Sequence, residues 1–323
     1  MTHPMLPLLA TALLFMHPAA AAFEHCQAPT PGTERLGPHE DNFIVWNETR
    51  DLGWREDREG ALRGRLSVKY TICGTHYSRA FNRPKPDQAA AAKGRTTAGN
   101  DTLELFFAYT GEFDFYWGER PSDPVINRLN NPGLHLRVPL RRYLGLAGRD
   151  DNLVVSVEHR SNGQTTEVSG ADETLRANRA YEQRNRAFFD SISRGSNFVG
   201  LSVELSDTVR ALPVEVATKV FLHFDEDADV TWGPLAGRRR HLSDYERLRV
   251  QASVSPAPGM WLDAELRVGD RLGRSTTAVT LGAEYTVWGL PLYLRWHRGP
   301  VGTLSNYSQR QDAIGFGLRF ARY

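Results

Sequence analysis

The feature that most constrains this chain is a strict alternation of apolar and polar side chains that returns along most of its length. Between 102 and 117, Leu103, Leu105, Phe107, Tyr109, Phe113, Phe115 and Trp117 share one parity, while Glu104, Thr110, Glu112 and Asp114 hold the other. Val199, Leu201, Val203 and Leu205 alternate with Ser202 and Glu204. Met260, Leu262, Ala264, Leu266 and Val268 alternate with Asp263, Glu265 and Arg267. The pattern returns in Thr277, Val279, Leu281, Ala283, Tyr285 and Val287, and again in Leu290, Leu292, Leu294 and Trp296. Successive side chains of a strand point to opposite faces, so this period builds sheets with one apolar and one polar face. It predicts strands over 42–49, 64–74, 102–117, 131–141, 152–161, 197–206, 215–224, 246–255, 258–269, 275–287, 290–298 and 312–322. That is about twelve strands, and most approach the roughly 9–11 residues a tilted strand needs to cross a bilayer.

Two all-β architectures accept such strands: a soluble sandwich and a transmembrane antiparallel β-barrel. The strand count is even, the strands are long, and the turns at Pro256-Ala257-Pro258-Gly259 and Gly289-Leu290-Pro291 are short. Trp117, Trp288 and Trp296 fall near strand ends, where an interfacial girdle would hold them, and lone charges such as Glu204, Arg267 and Arg295 fall on the polar parity. These features favour the barrel. The last strand is apolar at Ile314, Phe316, Leu318 and Phe320, and the terminal Tyr323 is out of phase with them.

A mean hydropathy of −0.44 and the lack of any later run of about 18 apolar residues argue against membrane helices, though not against a barrel. With 39 Lys+Arg against 38 Asp+Glu, nothing in the charge calls for a nucleic-acid partner. The run Arg238-Arg239-Arg240 reads as a solvated face, with contact to anionic headgroups as the other reading, and residues 75–101 read as a flexible loop. Residues 1–22 carry a short apolar stretch, Met5–Met16, followed by Ala20-Ala21-Ala22, and read as a secretory signal. Residues 23–41 would then form an N-terminal periplasmic segment and 42–323 the barrel domain. Cys26 and Cys73 fit an oxidising compartment, with their pairing left open.

The candidate chemistry lies in Val157-Glu158-His159-Arg160-Ser161-Asn162-Gly163. Leu153, Val155 and Val157 set the apolar parity of this strand, and His159 and Ser161 continue it. On a lipid-facing surface those two polar groups are misplaced, unless the lipid is the substrate. A serine hydroxyl becomes a nucleophile when an adjacent imidazole takes its proton, and the imidazole needs a third group to orient it. An uncharged amide suits a lipid-facing site better than a carboxylate. On the local motif alone, Ser161-Asn162-Gly163 could equally be a turn, with His159 an incidental interfacial residue.

His-x-Ser-Asn-Gly on an apolar strand resembles the active-site strand of the outer-membrane phospholipase A family. Tyr109-Thr110 followed by Trp117, Ser122-Asp123-Pro124, and Asn130 and Pro132 ahead of Leu134-His135-Leu136 are similar to further segments of that family. So is Ser193-Arg194-Gly195-Ser196-Asn197. The resemblance runs loosely from about Asp41 to the C-terminus and is tight around 109–136, 157–164 and 193–197. It implies Ser161 as nucleophile, His159 as general base and Asn197 as orienting amide, with the Gly163 N–H at the oxyanion. Asn197 is also in phase with Val199, Leu201 and Val203. Asn185 is the alternative and Asn178 a more distant one, because the stretch between Gly163 and Ser193 is longer than the family's and 171–190 reads as helical. The resemblance further implies calcium at a homodimer interface, held by Ser193 and the main chain of Gln164 in one protomer and Ser122 of the other. The family commonly has Arg at the Gln164 position. The expected substrates are outer-membrane phospholipids. The competing reading is a non-catalytic barrel, porin-like or structural, and a degenerate relative that keeps the fold without activity is a third.

Overall fold

The structure is a computed structural model describing residues 35–51, 58–74, 103–120, 122, 124–140, 151–164, 171–230, 233, 240–270, 272–305 and 307–322. The expected signal segment, Cys26, the 75–101 loop, Arg238-Arg239 and Tyr323 lie outside these residues. Cys73 is disulfide-bonded.

The strands are β1 (Leu36–Pro38), β2 (Asn42–Asp51), β3 (Glu59–Cys73), β4 (Glu104–Phe115), β5 (Val125–Pro139) and β6 (Asn152–Ser161). After helices α1 (Ala171–Glu182) and α2 (Arg186–Asp190) come β7 (Gly195–Val209), β8 (Leu212–Glu226), β9 (Leu248–Ala257), β10 (Met260–Val268), β11 (Thr277–Val287), β12 (Leu290–Gly299) and β13 (Gln311–Ala321). β2 to β13 form an antiparallel meander, and β13 pairs back onto β2 with Phe316 opposite Trp46. The sheet has no free edge: it is a closed twelve-stranded barrel of the outer-membrane kind, with β1 lying along β3 through Leu36 opposite Tyr70. Each stretch of alternation identified above is one barrel strand. The three residues of β1 are too few to alternate and were not anticipated. The helical reading of 171–190 corresponds to α1 and α2.

Parity decides which side chains face out. In β13, Ile314, Phe316 and Phe320 are exposed while Ala313 and Arg319 are buried. In β4, Phe107 and Phe113 are exposed while Phe106, Ala108, Thr110 and Asp114 are buried. The outward row would be costly in water and is stabilised in a bilayer. Trp117 is 65% exposed beside one rim and Trp288 is 97% exposed at the other, so aromatics flank the apolar belt at both ends. One rim carries the tight turns at Arg210-Ala211, Pro258-Gly259 and Trp288-Gly289. The long connections β6–β7 and β8–β9 leave the opposite rim, while those between β3 and β4 and between β5 and β6 share the rim of the tight turns.

Inside, charges pair. Arg63 grips Asp114 with two bonds, at 2.6 and 2.7 Å. Glu104 takes Lys69 at 2.9 Å and Arg137 at 2.5 Å. At the long-loop rim, Glu246 bonds Arg160 and also Arg249, the latter at 2.7 Å. Burial pushes the Glu246 carboxyl up, but Arg160, Arg249 and Arg267 together hold it well below the usual carboxylate range. The connection between β12 and β13 folds into the same mouth. Val301, Leu304 and Tyr307 pack there with Leu242 and Tyr245. Beneath it are spaces of about 90 Å³ and 50 Å³ lined by Arg63, Arg65, Glu112 and Arg267, which hold a few waters at most.

Candidate functional site

β6 runs Asn152–Ser161 with its even residues buried, and Val157 and His159 on the exposed outer face. Asn152, Val154, Ser156, Glu158 and Arg160 point to the lumen; Glu158 meets Lys219 at 2.5 Å and accepts the Asn131 amide at 2.8 Å. Those inward contacts fix the register of the strand. A slip of one residue would drive Glu158 into lipid and His159 into the lumen. His159 and Ser161 therefore share the outer face, about 7 Å apart along the strand. Ser161 Oγ makes no hydrogen bond among the described residues.

The antiparallel register places His159 opposite Asn197 and Ser161 opposite Gly195. Across that pair, Asn197 Oδ1 lies 2.8 Å from His159 Nδ1. The two alternatives for the third position are engaged elsewhere. Asn185 caps α2, its side chain accepting the Phe188 N–H at 3.3 Å. Asn178 lies within α1 and accepts the Gly233 N–H at 3.1 Å.

The strand end is held in place by Asn162, which is 1% exposed. Its Nδ2 donates to Ile192 O at 2.7 Å, and its Oδ1 accepts the Arg194 N–H at 2.9 Å. The same oxygen accepts the Gln164 N–H at 3.4 Å, and the Asn162 N–H reaches Arg194 O at 3.1 Å. One buried amide therefore ties Gln164 to Ile192 and Arg194, the neighbours of Ser193. Behind them Arg194 bonds Asp229 at 2.7 Å, and Asp229 also accepts from Ser308, joining three outer loops. Gly163 follows at φ +61°, a conformation that suits glycine.

Two features beside the site were not anticipated. On β5, Asn130 pairs with Ser161, and its Oδ1 accepts the Tyr109 hydroxyl at 2.7 Å, leaving its amide nitrogen near Gly163. On β8, Asp225 accepts the Asn197 Nδ2 at 2.9 Å. Simple alternation puts Asp225 on the lumen side with Phe221 and His223. A β-bulge intervenes: Asn197 pairs with Asp225 but Phe198 pairs with His223, so Phe224 is the extra residue. Phe224 and Asp225 both turn outward as a result, and Asp225 joins the polar stripe of Tyr109, Asn130, Ser161, His159 and Asn197. The uncharged Asn197 amide faces the imidazole, with a carboxylate one step behind it.

For calcium, the residues expected to act are Ser122, Gln164 and Ser193. Among the described residues no group of three or more His, Cys, Asp or Glu is placed to hold a metal. The donors that the chain offers are hard neutral oxygens, of the type calcium takes. Ser193 lies between Ile192 and Arg194, which Asn162 bonds together with Gln164, and Ser122 is an exposed residue in the connection between β4 and β5, at φ +63°. These three residues give fewer oxygens than the six to eight calcium prefers.

Solved structures settle the fold. Outer membrane phospholipase A from Escherichia coli superposes with a TM-score of 0.60 at 16% sequence identity, over 89% of this chain and 94% of that one. The chain has the fold of outer-membrane phospholipase A. The calcium-bound dimer of the Salmonella typhi outer membrane phospholipase gives a TM-score of 0.59 at 16% identity, covering 91% and 94% of the two chains. An active-site mutant of the Escherichia coli protein gives 0.56 at 18% identity, over 91% of this chain and 93% of that one. No protein-family model matches the sequence, and no curated protein matches it either.

Proposed function

We propose that the protein is a calcium-dependent phospholipase A that hydrolyses acyl esters of membrane phospholipids at the outer surface of its barrel. The observation that carries this reading is the 2.8 Å contact between His159 Nδ1 and Asn197 Oδ1 on the lipid-facing side, with Ser161 two residues along the same strand. A structural or channel barrel has no use for a hydrogen-bonded imidazole there. A channel also needs an open lumen, whereas this one is filled with paired charges and capped by the segment around Val301 and Tyr307.

In the proposed reaction Asn197 holds His159 through Nδ1, so Nε2 is the nitrogen left to take the Ser161 proton. Ser161 Oγ adds to the ester carbonyl as that proton moves to Nε2. The tetrahedral oxyanion is met by the Gly163 N–H. Collapse breaks the ester bond, the lysophospholipid oxygen takes the proton from Nε2, and the acyl group stays on Ser161. Water then adds to the acyl-enzyme, passing its proton to Nε2, and fatty acid leaves as Ser161 recovers its hydrogen. Calcium held by Ser193, Gln164 and the Ser122 of a second protomer would supply positive charge beside the oxyanion. The Escherichia coli and Salmonella typhi proteins sharing the fold are named phospholipases, and the latter is a calcium-bound dimer, which supports both the substrate class and the shared site.

Fatty-acid release from phospholipid–detergent mixed micelles tests the proposal. With calcium, the wild-type barrel releases fatty acid and Ser161→Ala, folded by heat-modifiable gel migration, does not. Equal release by the two proteins removes Ser161 from the reaction.

A further inference from the structure

We infer that Asp225 is a positioning residue for this site: held outward by the bulge at Phe224, it fixes the Asn197 amide and through it the His159 tautomer. The inference rests on the proposed Ser161–His159–Asn197 site and adds a fourth member to it.

An asparagine amide has an accepting end and a donating end of nearly the same shape. Facing an imidazole, it supports either tautomer. With Oδ1 toward Nδ1, the imidazole carries its proton on Nδ1 and Nε2 is basic. With the amide turned over, Nδ2 donates to Nδ1, the proton sits on Nε2, and no base faces Ser161. Asn197 alone therefore cannot choose the productive state. A carboxylate can choose it, because it only accepts. Asp225 Oδ2 lies 2.9 Å from Asn197 Nδ2, and that bond leaves Oδ1 as the only end to face His159 Nδ1, at 2.8 Å. The line Asp225–Asn197–His159 crosses β8, β7 and β6 in sequence, each link between neighbouring strands.

The bulge is what makes this line. Without the extra residue at Phe224, position 225 would continue the inward parity of Phe221 and His223, and Asn197 would face no acceptor on β8. Bulges re-aim side chains in this way at the rims of barrels. The neutral amide touches the imidazole, while the charge is kept one residue away at the exposed strand end, where headgroups and water can solvate it.

The experiment is nitrogen NMR of ¹⁵N-histidine-labelled full-length protein in detergent micelles, with His159→Gln to assign the signal, alongside kcat and KM on mixed micelles. In the wild type, His159 is expected as the Nδ1–H form. Asp225→Ala removes the roughly ten- to hundredfold bias that a hydrogen bond to a charged group puts on the two amide orientations, so it should produce a mixture of tautomers and lower kcat about twofold, as the productive orientation falls from nearly all of the population to about half. KM should stay unchanged, since Asp225 acts through Asn197 and not on the lipid. Asp225→Asn keeps the shape and one accepting end, so it should fall between the two and serves if the alanine variant does not fold. An unchanged tautomer in the substituted proteins overturns the inference, as does a changed tautomer with unchanged kcat. If the wild type hydrolyses no ester, the proposed function fails, and the tautomer measurement still decides the role of Asp225.

Discussion

Asn162→Ala should loosen the active-site end of β6 without loosening the barrel. Asn162 joins Ser161-Asn162-Gly163 to the 192–194 segment through Nδ2 to Ile192 O at 2.7 Å and Oδ1 from the Arg194 N–H at 2.9 Å. Both partners lie in residues that are at most 2% exposed, so water does not replace the lost amide. Stranding a buried polar group costs roughly 1–3 kcal/mol, and two groups give about 2–6 kcal/mol. Even the lower figure raises the local opening equilibrium about thirtyfold. The strain falls on the junction of β6 with β7, because the other Asn162–Arg194 contact, a main-chain bond of 3.1 Å, survives the substitution. Hydrogen exchange followed by mass spectrometry in micelles reads this directly. Peptides covering 158–164 and 192–198 should exchange about thirtyfold faster or more, while those of β10 to β12 stay protected. Asn162→Asp keeps the acceptor for the Arg194 N–H and should sit between the two. Unchanged protection at 192–198, or a uniform loss around the barrel, would refute the reasoning.

Asn197→Ala should lower kcat substantially while Asn185→Ala leaves it near wild type, because Asn197 touches His159 and Asn185 caps α2; a crippled Asn185→Ala would reverse that assignment. Calcium should shift chemically crosslinked protein from monomer toward dimer, and a chelator should reduce activity and dimer together. Full activity in a chelated monomer would remove both the metal and the shared site from the account.

The barrel was legible because period-2 alternation carries its own register. Each outward residue such as Phe107 or Phe320 has inward neighbours such as Phe106 or Arg319, and a lipid-facing surface tolerates no slip between them. The outward placement of His159, Ser161 and Asn197 was legible for the converse reason, as polar groups on the apolar parity. Asp225 was hidden because alternation assumes an uninterrupted strand, and the extra residue at Phe224 reverses the parity beyond it. Asn162 was visible only as half of an Asn-Gly turn; that its amide ties two strands together depends on Ile192 and Arg194, thirty or so residues away. The cap formed by Val301, Leu304 and Tyr307 left no signal either, since scattered apolar residues in a connection have no period to read.

The measurement that tests the central claim most directly is covalent labelling by a long-chain alkyl fluorophosphonate dissolved in the micelle, a probe that phosphonylates activated serines and reaches the protein from the lipid side. The account predicts one modification per active chain, mapped by mass spectrometry to Ser161, lost in His159→Ala and in Ser161→Ala while both variants remain folded barrels. A folded, calcium-loaded protein that takes no label at Ser161, or takes it equally without His159, would contradict it.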